Sequence, residues 1–487
     1  PFAPIASKPT LAELVYLLTK LRSGRASVRL RIFTHPSLFN QALEATKRIG
    51  IPSEYIYLLD GRDANSDRDN VASLIENVRV RKLPRQPVVP AQKNTIAYLL
   101  FSSGTSGPPK SVMVSHGGLC FSTLQTIITV TENAKFDPPT DEPPPPQRLL
   151  CSLPFYHTLG LHFFILKSPL SPKTLVIISR WNLDQALMAI PRYKINFLVL
   201  VPSIVHQLVH SAKAHRTDFS SVLVAGCGAA YVAPELLERF RKMLGQPNKG
   251  RQVEILEGYG LSEATIGSLA RVNPGQYSMY PDPASTGVLL PGQEGRILRE
   301  DGSEADFNET GELLIKGENV ALGYWGDEQA TRETFLPDGW LRTGDRFRVD
   351  EAGQFYYEDR LKDTLKISGA QVAPAEIERV LLTHPRGLVI DAAVAGVPAA
   401  SQTGASSRDE RVPRAWVVLS AAGLAIGEQK AAQELDAWVR EQLSRYKWLT
   451  GGIAIVPEIP KNPTGKVLRR VLVDDYVKQM QSMKTKL

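Results

Sequence analysis

Cysteine is scarce in this sequence: Cys120, Cys151 and Cys227 stand far apart, without C-x-x-C spacing or a neighbouring histidine cluster. A disulfide framework and a cysteine-based zinc site are therefore not indicated, and a reducing compartment is the default. Long apolar runs are missing too. The most apolar segment, Ile195 to Val201, is stopped by Pro202 and is far too short to span a bilayer. There is no internal repeat and no lysine/arginine block with interleaved aromatics. The net charge of +7, from 57 basic against 50 acidic residues, suits anionic small ligands better than nucleic acid. The chain starts at Pro1 without a basic-then-apolar leader, which reads as the cut end of a longer protein. It ends in Thr485-Lys486-Leu487, one substitution from the peroxisomal S-K-L address, though an ordinary basic tail explains these residues equally well.

What is present is a globular composition: 487 residues, 43% hydrophobic and 22% charged, too long for one ordinary core. From Leu11 to about Ile266, β-rich runs alternate with helical patterns, the arrangement of a mainly parallel sheet covered by helices. Thr174 to Ile178 reads as a buried strand, with Asn182 capping a helix over Leu183, Leu187 and Ile190. A second strand spans Asn196 to Val201, and Pro202 opens the next helix. Val222 to Ala225 leads into a turn at Gly226-Cys227-Gly228, and Glu254 to Glu257 into another at Gly258-Tyr259-Gly260. Ligands of open α/β sheets bind at such strand ends. From Gly311 the pattern becomes hairpin-like, with Asp350 to Gly353 as a turn between antiparallel strands. A mixed section begins near Leu361, and its clearest helix follows Gly427 with Leu435, Trp438 and Leu443 on one stripe. The proline-rich Asp137 to Arg148 reads as a surface excursion.

Five segments carry the candidate chemistry. After the strand-like Thr95 to Leu100 comes a run of hydroxyl side chains and glycines closed by a lysine: Ser102, Ser103, Gly104, Thr105, Ser106, Gly107, then Lys110. Its donors converge as in an anion cradle, yet composition alone fits a flexible surface loop equally well. It is not a P-loop, because Lys110 lies three places beyond Gly107 behind two prolines. In Gly258 to Glu263, Tyr259 offers a flat face for a purine, Ser262 a donor for phosphate and Glu263 a ligand for a hard cation. Trp340 to Asp345 ends in a carboxylate able to accept from ribose hydroxyls. Asp359 to Gly369 and Pro460 to Lys466 complete the set.

Together, in this order, these segments resemble the acyl-adenylate-forming superfamily from about Thr10 to Arg470. The flavour is that of 4-coumarate-CoA ligase-like enzymes, through Lys366 to Glu376 and Trp448 to Gly452. The resemblance implies an α/β fold: a large domain (1–360) of helix-covered, mainly parallel sheets with a small barrel-like β region, its N-terminal part truncated, then a small mobile α+β domain (361–487). It further implies ATP, Mg²⁺ and coenzyme A as ligands and a small carboxylic acid as substrate. The loop from Ser102 to Lys110 would hold the β- and γ-phosphates, and Glu263 the Mg²⁺. Gly228, Ala229, Ala230 and Tyr259 would enclose adenine, with Gly258, Gly260 and Ser262 in the same turn. Asp345 and Arg360 would grip ribose, and His157 would border the acyl pocket, for which Leu159 and Ala264 are further candidates. Lys466 would reach the carboxylate and the α-phosphate. Lys362 occupies the hinge position, and Lys366 with Gly369 would serve the thioester step.

Some features depart from the family pattern or have plainer readings. Ser111 stands where glycine is usual, and Ser262 where threonine is. His206, His210 and His215 lack acidic or cysteine partners and read as structural or exposed; Cys227 reads as small apolar packing. A carrier-protein-loading adenylation domain, a luciferase-like oxygenase and a catalytically silent nucleotide-binding scaffold are the competing functions. A serine hydrolase is disfavoured because neither Ser106 nor Ser262 lies in G-x-S-x-G.

Overall fold

The structure, a computed structural model, describes residues 1–6, 9–23, 29–61, 69–102, 109–136, 145–229, 232, 234–245, 253–271, 275–276, 279–280, 282–361, 363–367, 370–398, 411–462 and 465–484. The chain forms two compact units, Pro1–Cys120 with Ala321–Phe335, and Phe121–Val320 with Leu336–Leu487.

In the first unit, helix α1 (Leu11–Ser23) places Leu14, Leu17, Leu18 and Leu21 on one buried stripe. Around it lie β1 (Ile32–Thr34), α2 (Phe39–Arg48), which buries Ala42 and Ala45, and β2 (Ile56–Leu58), parallel to β1. Helix α3 (Val71–Val80) starts from a reciprocal cap between Asn70 and Ser73. Strands β3 (Ile96–Ser102) and β4 (Lys110–Ser115) form an antiparallel hairpin whose register places Ser102 opposite Lys110. The chain returns along β4, where Met113 N–H donates to the Gly323 carbonyl and Trp325 N–H to that of Ser111.

The second unit is built on a seven-stranded sheet. Its strands are β5 (Gln147–Cys151), β6 (Lys173–Ile177), β7 (Phe197–Leu200), β8 (Val224–Cys227), β9 (Glu254–Tyr259), β10 (Leu269–Ala270) and β11 (Val288–Leu289), in the order β11-β10-β9-β8-β7-β5-β6. β5 to β9 are parallel, and β10 and β11 run antiparallel at one edge. Helix α4 (Leu183–Tyr193) is capped as expected by Asn182, which accepts from Gln185 N–H at 2.9 Å, and it buries Leu187 and Ile190. Helix α5 (Pro202–His210) opens on Pro202 and buries Ile204, Val205 and Leu208; α6 (Pro234–Leu244) follows β8. The expected turns shift by two residues. β8 runs on through Gly226 and Cys227, and β9 through Gly258 and Tyr259, because neighbouring strands continue to pair with them. The proline-rich excursion likewise stops before Gln147, which opens β5; its residues 137–144 lie outside the described residues.

A four-stranded antiparallel sheet follows: β12 (Glu294–Leu298), β13 (Gly311–Lys316), β14 (Trp340–Val349) and β15 (Phe355–Arg360), with Asp350 to Gly353 as the turn. After the hairpin of β16 (Leu365–Ile367) and β17 (Ala370–Val372) come α7 (Pro374–Leu382), β18 (Val389–Pro398), β19 (Arg411–Leu419), α8 (Glu428–Gln442), β20 (Ile453–Ile455) and α9 (Arg469–Lys484). The buried stripe of α8 is Ala431, Leu435 and Val439; Trp438 is partly buried and donates from its indole to the Val380 carbonyl. Leu443, the C-cap just past the last helical residue, is partly buried and packs against the same core. The class is α/β, as the alternating pattern requires. No helix among the described residues is long and apolar enough to cross a membrane. Leu435 is fully buried in the core beneath β18 and β19, so Leu435→Ala is expected to cost about 2–5 kcal/mol, read as a drop in urea midpoint, whereas an exposed change such as Glu441→Ala is expected to leave the midpoint in place.

Candidate functional site

The site grows from the end of β9. Gly258 and Gly260 are needed for close backbone approach rather than for an unusual φ. A Cβ on Gly258 would lie 2.8 Å from the Leu269 carbonyl oxygen, and one on Gly260 would lie 1.7 Å from that of Ile266. The returning chain therefore packs directly on the strand, and a short 3₁₀ turn at Ser262–Ala264 sets Glu263 at its apex. Ser262 Oγ is 2.7 Å from Thr158 Oγ1, a partner the sequence reading missed although it directly follows His157.

A bulge in β14 supplies the next group. Leu313 opposes Thr343, Gly344 and Asp345, because the β13–β14 register jumps from Glu312↔Arg346 to Leu314↔Arg342. Gly344 takes φ +70°, Thr343 Oγ1 donates to the Leu313 carbonyl, and Glu312 accepts from Gly344 N–H. The bulge delivers Asp345 into a buried position, 7% exposed, opposite Arg360 on β15. Tyr259 Oη donates to Asp345 Oδ2 at 2.6 Å, and Arg360 Nε lies 3.5 Å from Oδ1. Burial raises the Asp345 carboxyl pKa, against the pull of Arg360 and the Tyr259 hydrogen bond. The Tyr259 ring meets Phe347 edge-on at 4.9 Å.

Lys466 arrives on a tight turn. Asn462 N–H donates to the Lys466 carbonyl, Lys466 N–H to Asn462 Oδ1, and Gly465 adopts φ +83°. A Cβ on Gly465 would come 3.0 Å from Ser203 Oγ, which places this turn against the start of α5, beyond the carboxyl end of β7. Burial first, then the Arg360 charge, push the Lys466 amine down to about 8, while Asp345 and Glu263 pull it up. His157 is lowered to about 4, by burial and then by Lys466, so its imidazole is neutral at pH 7. Its Nε2 is buried with no hydrogen-bond partner among the described residues, which leaves one polar atom for a ligand.

The structure thus brings Tyr259, Ser262, Glu263, Asp345, Arg360, His157 and Lys466 together. Ser102 and Lys110 end β3 and start β4 in the first unit, where the Lys110 amine lies 4.6 Å from the Tyr324 ring centroid. Ser103, Gly104, Thr105, Ser106, Gly107, Ala230, Lys362, Ser368, Gly369 and the terminal 485–487 lie outside the described residues. Lys366 lies in β16. Gly228 follows β8 with open space where a Cβ would be, and Ala229 takes φ +73°. Ser111 is fully buried in β4, its hydroxyl without a partner among the described residues. His206 and His210 stack at 4.2 Å, and no metal-holding group of three His, Cys, Asp or Glu occurs among the described residues. Burial raises the Cys227 thiol, consistent with packing rather than nucleophilic use. One carboxylate at Glu263 nonetheless fits Mg²⁺, which typically takes one or two carboxylates together with substrate phosphates.

Arg469 is a residue whose role sequence reasoning did not find. Partly buried where α9 begins, it pairs with Asp363 at 2.9 Å and Glu378 at 2.8 Å, and donates to the Val394 carbonyl. It thereby ties the segment after β15 to α7 and β18. Asp359 lies beside this network, 2% exposed, with one oxygen accepting from Arg360 N–H and the other without a hydrogen-bond partner among the described residues.

Comparison with known proteins gives two family matches. The AMP-binding enzyme model covers residues 3–325, and the AMP-binding enzyme C-terminal domain model covers 376–466. The chain is 36% identical over 379 residues to 4-coumarate--CoA ligase-like 4 of Oryza sativa subsp. japonica, covering 77% of this chain and 62% of that protein. It is 33% identical over 444 residues to Peroxisomal OPC-8:0-CoA ligase 1 of Arabidopsis thaliana, covering 91% and 74%. ATP-bound MatB from Rhodopseudomonas palustris superposes with a TM-score of 0.73 at 25% identity, over 97% of this chain and 83% of that one.

Burial, followed by the nearby Glu378 and Asp363 charges, outweighs Arg469 and pushes the Asp359 carboxyl from 3.8 up to about 7. A carboxyl raised on folding stabilises the fold while neutral, and that contribution is lost as pH rises from about 4 through about 7. Asp359→Asn is therefore expected to flatten the decline in stability over this window, with a gain on the order of 2–4 kcal/mol at pH 8. Urea midpoints measured from pH 5 to 8 test this; a variant with the wild-type slope refutes the assignment.

Proposed function

The chain belongs to the AMP-binding enzyme family, and we propose that it is an ATP-dependent carboxylate–CoA ligase that makes an acyl-AMP, then an acyl-CoA, releasing pyrophosphate and AMP. The observation that carries this reading is the convergence of Lys466, from the turn after β20, with Glu263, Asp345 and Arg360. A carboxylate attacking the α-phosphorus of ATP approaches a polyanion, so charge must be neutralised along the line between attacking and leaving oxygens. Lys466 supplies a cation there. Mg²⁺ held through Glu263 would add Lewis-acid neutralisation of the phosphates. Asp345 would accept from the ribose hydroxyls, Arg360 would support it, and Gly228, Ala229, Ala230 and Tyr259 would flank adenine, so that binding energy orients the reacting atoms. The neutral His157, with its unused Nε2, would border the acyl group. The loop from Ser102 through Ser103, Gly104, Thr105, Ser106 and Gly107 to Lys110 would hold the leaving pyrophosphate. No protein nucleophile is required.

In the same reading the chain works as a large domain, 1–360, and a small one, 361–487, hinged at Lys362. Rotation would withdraw Lys466 and present Lys366 and Gly369 to the CoA thiol. The names of the relatives support an aromatic or medium-chain acid, and the Arabidopsis relative's name supports a peroxisomal setting. A panel of aryl, fatty and amino acids, assayed with ATP and CoA for AMP release and thioester mass, tests the reaction. Turnover with amino acids alone would replace the ligase reading with a carrier-loading one.

Two expectations concern Lys466. Lys466→Ala should abolish carboxylate-dependent pyrophosphate exchange while sparing thioester formation from supplied acyl-AMP; equal loss of both half-reactions refutes the split. Because the free-enzyme amine titrates near 8, kcat/KM for ATP in the first half-reaction should fall as pH rises through that value. In Lys466→Arg, which stays protonated, the alkaline fall should vanish at a lower overall rate.

A further inference from the structure

Thr265 holds an unfavourable backbone conformation beside the site. It takes φ +64° and ψ −30°, and among the five non-glycine residues described with positive φ it alone is β-branched. A threonine there persists only if its surroundings over-determine it. Asn319 is the long-range partner that does so. Thr265 Oγ1 donates to the Asn319 carbonyl at 2.5 Å, and Asn319 Nδ2 donates to the Ala264 carbonyl at 3.0 Å. Both side chains are fully buried. Asn319 Oδ1 has no hydrogen-bond partner among the described residues, so the amide is buried at a cost that only its donor side offsets. Space is made for it as well: a Cβ on Gly317 would lie 2.6 Å from Asn319 Oδ1.

The placement gives the contact its meaning. Thr265 directly follows the Ser262–Ala264 turn that carries Glu263, and its N–H closes that turn onto the Ser262 carbonyl at 3.1 Å. Asn319 lies three residues beyond β13, the strand paired with the β14 bulge that carries Asp345. The two residues therefore join the turn on one sheet to the strand on the other. We propose that Asn319 and Thr265 form a clamp that fixes the Ser262–Ala264 turn, making Asn319 a positioning residue for the Glu263 carboxylate. Asn319 touches no reacting atom; it acts through the backbone of Ala264 and Thr265. The clamp rests on the nucleotide reading above and adds to it a determinant of how the cation-bearing form of ATP is held.

The test is calorimetric titration of the full chain with ATP, once with Mg²⁺ and once with EDTA. Asn319→Asp keeps the shape and removes the Nδ2 donor, and Asn319→Ala removes the amide altogether. Each is expected to weaken binding of Mg-ATP about tenfold, the scale of roughly one lost hydrogen bond, while metal-free ATP binds within about twofold of wild type. Adding Thr265→Gly should recover most of the loss, because glycine adopts the positive φ unaided. If the alanine variant does not fold, the aspartate variant carries the test. Unchanged Mg-ATP affinity, an equal loss with and without Mg²⁺, or no recovery on adding Thr265→Gly overturns the clamp. Wild-type protein that binds no ATP overturns the nucleotide reading and the clamp together; wild type that binds ATP better with Mg²⁺, beside an unaffected Asn319→Asp, overturns the clamp alone.

Discussion

Asp345 is a carboxylate that the fold has taken out of water, and the rest of the site is arranged around that fact. Burial favours its neutral form, and the Arg360 guanidinium, the Tyr259 hydroxyl and the Lys466 amine oppose this. Lys466 enters the same space and is itself shifted toward neutrality by burial and by Arg360. Two cations and two carboxylates, counting Glu263, thus share one small region where every charge acts strongly on the others. In the proposed reaction a polyanionic nucleotide would meet groups that already face one another, so little reorganisation would remain when charge develops.

That arrangement needs backbone geometry more than it needs any single side chain. The β14 bulge turns Asp345 inward because Gly344 accepts a positive φ and because Glu312 and Thr343 satisfy the displaced backbone. Gly258 and Gly260 let the chain fold back on β9 without a Cβ in the way. The turn at 461–467 is closed by Asn462 and anchored by the Lys461–Asp391 pair at 2.6 Å. Arg469, bridging Asp363, Glu378 and the Val394 carbonyl, keeps α9 registered to the segment that leaves β15. Backbone fixed in this way holds side chains more tightly than surface loops do, and catalysis by orientation requires that.

Much of this was readable in advance where local chemistry decides the outcome. Asn182 caps because its side chain reaches the third N–H beyond it, and Pro202 opens a helix because it has no N–H to satisfy. The Asp350 to Gly353 turn follows from residue type in the same way. Strand ends were misplaced at Gly226 and Gly258, since whether a glycine ends a strand or lies inside it depends on a neighbour that arrives tens of residues later in the chain. Leu443 continues the spacing of the α8 stripe and packs on the same core, although the helix itself ends one residue earlier.

The chemical inventory is legible along the chain: which residues carry hydroxyl, carboxylate and amine groups, in which order, and on strands, helices or turns set by periodicity and capping. Those are properties of short stretches, and short stretches suffice to state them. Long-range packing alone gives the Tyr259 hydroxyl to Asp345, pairs Thr158 with Ser262, sets Asn319 against Thr265, and gathers two carboxylates and a backbone carbonyl about Arg469 near the end of β15. Each of these joins residues dozens to more than a hundred positions apart, and burial, which sets their protonation, exists only once the chain has closed around them.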